Sequence, residues 1–175
     1  MPIIVLPTTL KIKTYMDQDL SLLTSEERST LRDAFAYITI LIAGADGKID
    51  PDELSWAEKI TQIRTFAGDE RLKVFHTDVN ETLATRIKEL IGELPQDVKS
   101  RSAIISEKLA SLNPILGSLE PSIGAYLYKG YKSFAERIAK ASGGFLSFFS
   151  IGPEEKKWVA LPMLNEIIYN PEEEE

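Results

Sequence analysis

The chain has 175 residues, 43% hydrophobic and 27% charged, with no cysteine and a formal net charge of −7. This is ordinary for one globular domain with a substantial core, and the missing cysteines exclude disulfides, thiolate metal sites and a cysteine nucleophile. The negative charge argues against nucleic acid as principal partner, because phosphate binding needs a basic footprint, and leaves cations and basic protein surfaces open.

Residues 1–23 read as an extended N-terminal arm. Pro2 and Pro7 flank the β-prone run Ile3-Ile4-Val5-Leu6, which either packs on the core or pairs with a second copy as an edge strand. No basic region precedes that run and no small-residue cleavage site follows it, so no signal peptide is expected. No apolar run approaches the roughly 18 residues of a membrane span, and a cytoplasmic location is the expectation.

A helical domain is expected over 24–170. Thr24 and Glu27 have capping-box spacing, and Leu31, Phe35, Ile38 and Ile42 recur at helical intervals. Gly44 or Gly47 stops this helix, since glycine accepts positive φ without strain. Asp50 is placed as the next N-cap, with Pro51 at the first helical position and Glu53 at the third; that helix buries Leu54, Ala57 and Ile60. Asp69 is expected to cap a short helix through Phe75, and Asp78 another that buries Val79, Leu83, Ile87 and either Leu90 or Ile91. Pro95 separates these from a helix near 96–112 carrying Val98, Ile104, Ile105, Leu109 and Leu112. Asn113-Pro114 and Glu120-Pro121 read as breakers. A further stripe runs through Ile123, Leu127, Tyr131, Phe134 and Ile138 until Ser142-Gly143-Gly144. Pro153 opens a last helix through Trp158, Leu161 and Leu164, which Pro162 should kink. Residues 171–175, Pro171 and four glutamates, read as a solvated acidic tail. The chain is thus expected to be all-α, a compact bundle of about seven helices.

An internal duplication is also visible. Ile42, Ala43, Ala45 and Gly47 match Ile138, Ala139, Ala141 and Gly143 at an offset of 96 residues. Ile49, Pro51, Glu53 and Trp56 match Ile151, Pro153, Glu155 and Trp158 at an offset of 102. The second helix-loop-helix hairpin carries an apolar insertion, Gly144–Phe149, whose phenylalanines read either as core under a helix or as a docking or membrane-surface patch.

The first loop, Asp46-Gly47-Lys48-Ile49-Asp50-Pro51-Asp52-Glu53, concentrates acid. Hard cations such as Ca²⁺ or Mg²⁺ take oxygen ligands, and Asp46, Asp50 and Glu53 supply them around a glycine turn. The run matches the later part of an EF-hand loop, but Ile42 and Gly44 fall at its earlier ligand positions and bring no side-chain oxygen. The second reading makes Asp50 a cap, Glu53 its capping-box partner and Asp46 a turn former. If the duplicated loops face each other, Glu154 and Glu155 approach Asp46 and Asp50, and clustered carboxylates repel without a cation or protons between them.

These two motifs in order, Ala45–Glu53 and then Ser142–Leu146 with Ile151–Glu155, resemble the tellurite-resistance TerB-like family over roughly residues 25–168. The resemblance implies a compact helical bundle, no established enzymatic activity, and a divalent-cation site on Asp46, Asp50, Glu53 and Glu155. It further implies a role in bacterial stress response or a membrane-linked protein complex, hence a protein partner and peripheral membrane association. Gly152, where a capping serine or aspartate is expected, weakens the second half-site. Catalytic machinery is not in evidence: His76 is the only histidine and reads as a surface or helix-end residue, no Glu-x-x-His pair marks a di-iron bundle, and neither a nucleophile elbow nor a P-loop appears.

Overall fold

In the computed structural model, residues 20–45, 47, 70–142 and 153–170 are described, and the regular elements among them are all helices. In chain order they are α1 (Ser25–Ala43), a 3₁₀ turn (Glu70–Leu72), α2 (Lys73–Glu93), α3 (Val98–Ala110), α4 (Leu112–Ser118), α5 (Pro121–Ser142) and α6 (Pro153–Val159). None of these is long and apolar enough to cross a membrane.

The bundle is built around α1. Its first half is amphipathic, but from Ala34 to Ala43 every residue except Tyr37 is buried. A helix apolar on all sides must be covered on all sides, and α1 touches α2, α3, α4, α5 and α6. Thr39 is tolerated in this run because its hydroxyl donates to Phe35 O at 2.8 Å. The expected stripe of α5 is also buried, with Tyr131 and Phe134 fully enclosed. The two helices meet through Phe35, whose ring centroid lies 5.0 Å from that of Tyr131 and 5.1 Å from that of Phe134. Tyr131 donates its phenolic hydrogen to Leu31 O at 2.9 Å, and burial pushes its pKa up.

Four expectations are corrected. The segment expected to hold two short helices is one helix, α2. Lys73–Ile91 contains no glycine or proline, and Asp78 sits on its exposed side, paired with Arg32 at 3.0 Å rather than capping. His76 is buried rather than on the surface: it extends the Val79–Leu83–Ile87–Leu90 stripe back one turn and packs edge-on against Phe35 and Phe75. Asn113-Pro114 does not break the chain but stands in the first turn of α4, where the amide that proline lacks has no helical partner anyway. Pro162 ends rather than kinks the last helix. α6 stops at Val159, and Leu161, which cannot take the α conformation comfortably before proline, is buried at a φ of 46°.

Elsewhere the caps follow the sequence more closely. Pro121 is the first residue of α5, with Glu120 accepting from Ser122 N at 3.1 Å and Arg71 pairing with it at 3.2 Å. Burial raises the Glu120 pKa, but the Ser122 hydrogen bonds and Arg71 outweigh it and leave the group below its ordinary value. Residues 20 and 21 are helical rather than extended, and Leu23 joins the core. The rest of the expected arm, residues 1–19, lies outside the described residues, as do 143–152 and 171–175.

Candidate functional site

Asp46, Asp50 and Glu53 lie outside the described residues, and Glu155 is described as helix backbone only. The structure does describe the corner from which the acidic segment departs. α1 ends at Ala43 with Gly44 as its C-cap. Ala45 N donates to Ile42 O at 3.2 Å, and Gly47 N donates back to Gly44 O at 3.1 Å. Gly47 adopts a φ of 92°, a conformation that needs glycine, so the stop expected at Gly44 or Gly47 uses both.

The corner is held by a residue that the sequence reading passed over. Arg101, buried in the first turns of α3, donates from Nη2 to Gly44 O at 2.8 Å and from Nη1 to Gln96 O at 3.0 Å. α1 carries no basic residue in its own last turn, so a guanidinium from another helix meets the negative end of its dipole. A signal existed: Arg101 stands one helical turn before Ile105 and two before Leu109, in line with the buried stripe. The start of α3 is fixed by Asp97, which accepts from Ser100 N at 2.8 Å. That hydrogen bond, reinforced by the Ser100 hydroxyl, lowers the Asp97 pKa.

A second concavity is a polar groove of about 450 Å³ between α1 and α2, lined by Ser29, Arg32, Asp33, Thr82, Arg86 and Glu89 among others. Its cations are matched internally. Arg32 pairs with Asp78; Arg86 pairs with Asp33 at 2.9 Å and Glu89 at 3.0 Å, with Glu93 at 3.6 Å. Burial acts downward on Arg86, but these carboxylates raise its pKa overall. Tyr37, half-buried beside the same carboxylates, has its pKa raised by burial first and by Asp33 and Glu93 after it. This is a lattice of ion pairs joining two helices.

Among the described residues no group of three or more His, Asp or Glu side chains is arranged to hold a metal ion. Of the tyrosines of α5, Tyr126 is exposed with Arg71 over its ring, Tyr128 is half-buried and Tyr131 is core. Trp158 packs partly buried against the core, while its repeat counterpart Trp56 and the phenylalanines of the insertion lie outside the described residues. In comparisons with protein-family models, curated proteins and solved structures, nothing matches the chain.

Proposed function

We propose that this chain is a non-enzymatic, TerB-like helical domain. It binds a divalent cation, Ca²⁺ or Mg²⁺, through Asp46, Asp50, Glu53 and Glu155 and works by engaging another protein, in the cytoplasm or at a membrane surface. The observation that carries this reading is the bend at the end of α1. The chain turns through a left-handed Gly47 directly after Asp46, braced against α3, and such a turn lets carboxylates from either side of it converge on one ion. The duplication gains support from α1 and α5: Leu31, Phe35, Ile38, Ile42 and Ala43 are buried, as are Leu127, Tyr131, Phe134, Ile138 and Ala139 at the offset of the repeat. Phe35 and Tyr131, equivalent under that offset, are ring neighbours. On this reading the complete bundle has about seven helices, two of them in each duplicated hairpin.

The test is calorimetry and thermal melting of chelator-stripped protein with Ca²⁺, Mg²⁺, Mn²⁺ or Zn²⁺. Binding to the native state raises the melting temperature, and the Asp46→Asn/Glu53→Gln double variant abolishes that rise. Absence of both heat and stabilisation with all four ions ends the cation reading.

A second reading is favoured by a different observation. At Glu27, Asp97 and Glu120 this chain uses carboxylates at helix starts as caps. If Asp50 and Glu53 do the same, the domain is a purely structural protein-protein interaction module. The double variant then loses a little stability without any dependence on ions.

A further inference from the structure

We propose that Arg101 is a positioning residue that couples the segment leaving α1 to the first turn of α3, so that a change in either is felt in the other. Its guanidinium is the one buried cationic side chain among the described residues. It spans carbonyls of two separate elements, Gly44 O at the end of α1 and Gln96 O in the α2–α3 connection. Gly44 O also accepts from Gly47 N at 3.1 Å, so a single oxygen holds both the bend and the arginine. A carbonyl oxygen has two lone pairs; with both engaged, a metal ion cannot coordinate Gly44 without displacing one donor.

The Val98 side chain at the start of α3 lies beside the same corner: its Cγ2 stands 3.4 Å from where a Cβ on Gly47 would be, an ordinary van der Waals distance. A continuous chain of contacts therefore runs from the Asp97 cap through Ser100 and Arg101 to Gly44 and Gly47. The two-pronged contact requires the planar fork of arginine; a lysine ammonium is a point charge on a flexible stem. This coupling is independent of any bound ion, and only its use as a reporter of cation binding rests on the reading above.

The experiment is amide hydrogen exchange on the full chain, comparing wild type with R101K and R101M without divalent ions. The Ala45 and Gly47 amides should exchange about tenfold or more faster in R101M and by a smaller factor in R101K. Amides that open locally elsewhere, such as Arg28 in the first turn of α1, should keep wild-type protection, while core amides such as Ile87 and Leu90 accelerate only by the loss of global stability. Unchanged exchange at Ala45 and Gly47, or uniform acceleration through all helices, overturns the proposal; should R101M fail to fold, R101K decides by the same comparison. With Ca²⁺ added, coupling is reciprocal, so slowing at Ala45 and Gly47 is accompanied by slowing at Ser100 and Arg101 in wild type but not in R101M. Slowing at the first pair alone overturns the coupling. A wild type indifferent to Ca²⁺ at every amide removes the cation reading, while the ion-free comparison still decides the role of Arg101.

Discussion

The two ends of α1 solve one problem by different means. At its start the Thr24–Glu27 capping box satisfies free amides with side chains three residues apart, and Arg28 clasps the carbonyls of Leu20 and Leu23. At its finish another arginine clasps two carbonyls, but Arg101 is 57 residues away from Gly44 and buried. The first end is assembled locally and stays wet. The second exists only when α3 is docked. A helix terminus held by its neighbours in sequence reports on local folding, whereas one held across the bundle reports on tertiary assembly.

Substitutions along α1 measure that contrast. Phe35→Ala, midway between the ends, empties the aromatic contact with α5 and should destabilise by about 3–5 kcal/mol in urea unfolding. Arg101→Met leaves the buried Gly44 carbonyl without its charged donor and should cost about 2–3 kcal/mol. Thr24→Ala removes an exposed cap and should cost about 1 kcal/mol. The last two should add within about 0.5 kcal/mol, since their sites share no partner; strong coupling would mean that the two ends are not independent. Arg86→Met, in the half-exposed ion-pair lattice of the α1–α2 groove, should cost less than about 1 kcal/mol and less still at high salt.

Acid provides a reagent-free version of the comparison. The backbone hydrogen bond of Thr24 lowers the Glu27 pKa from its usual 4.5, and that of Ser100 lowers the Asp97 pKa from its usual 3.8. The unfolded chain then binds more protons than the folded one as pH falls through this range. Both groups contribute stability that is complete above the unfolded values and lost as pH drops through the depressed ones. In stability-versus-pH curves Glu27→Gln and Asp97→Asn should each flatten the acid limb, with Arg101→Met leaving its shape nearly unchanged.

The same contrast explains what could be read from the sequence. The Thr24–Glu27 box, the α5 stripe from Ile123 to Ile138 and the stop at Gly44–Gly47 were legible because each depends on spacing within one element. Asp78 misled because a cap-forming residue also serves as a solvated helix residue, and without a tertiary partner such as Arg32 the two uses look alike; Asp69 lies outside the described residues. His76 and Arg101 were hidden by their polarity, although both fall in register with buried stripes. Of the expected cation site, the helix end and the glycine turn were legible. The side chains of the expected ligand set, Asp46, Asp50, Glu53 and Glu155, lie outside the described ones.

One glycine has a consequence beyond its own helix. A Cβ at Gly124 would lie 2.7 Å from Leu116 O, so the backbones of α4 and α5 cross with no room for a methyl group. On α4, Asn113 grips the chain after α6, donating to Met163 O at 3.0 Å and accepting from Asn165 N at 2.8 Å. Alanine at position 124 would therefore act at a distance: by wedging the elbow open it would drag Asn113 from its hold and unfasten the C-terminal stretch that seats Leu161 and Leu164. A single hydrogen atom where others carry a carbon keeps the last part of the chain latched to the rest.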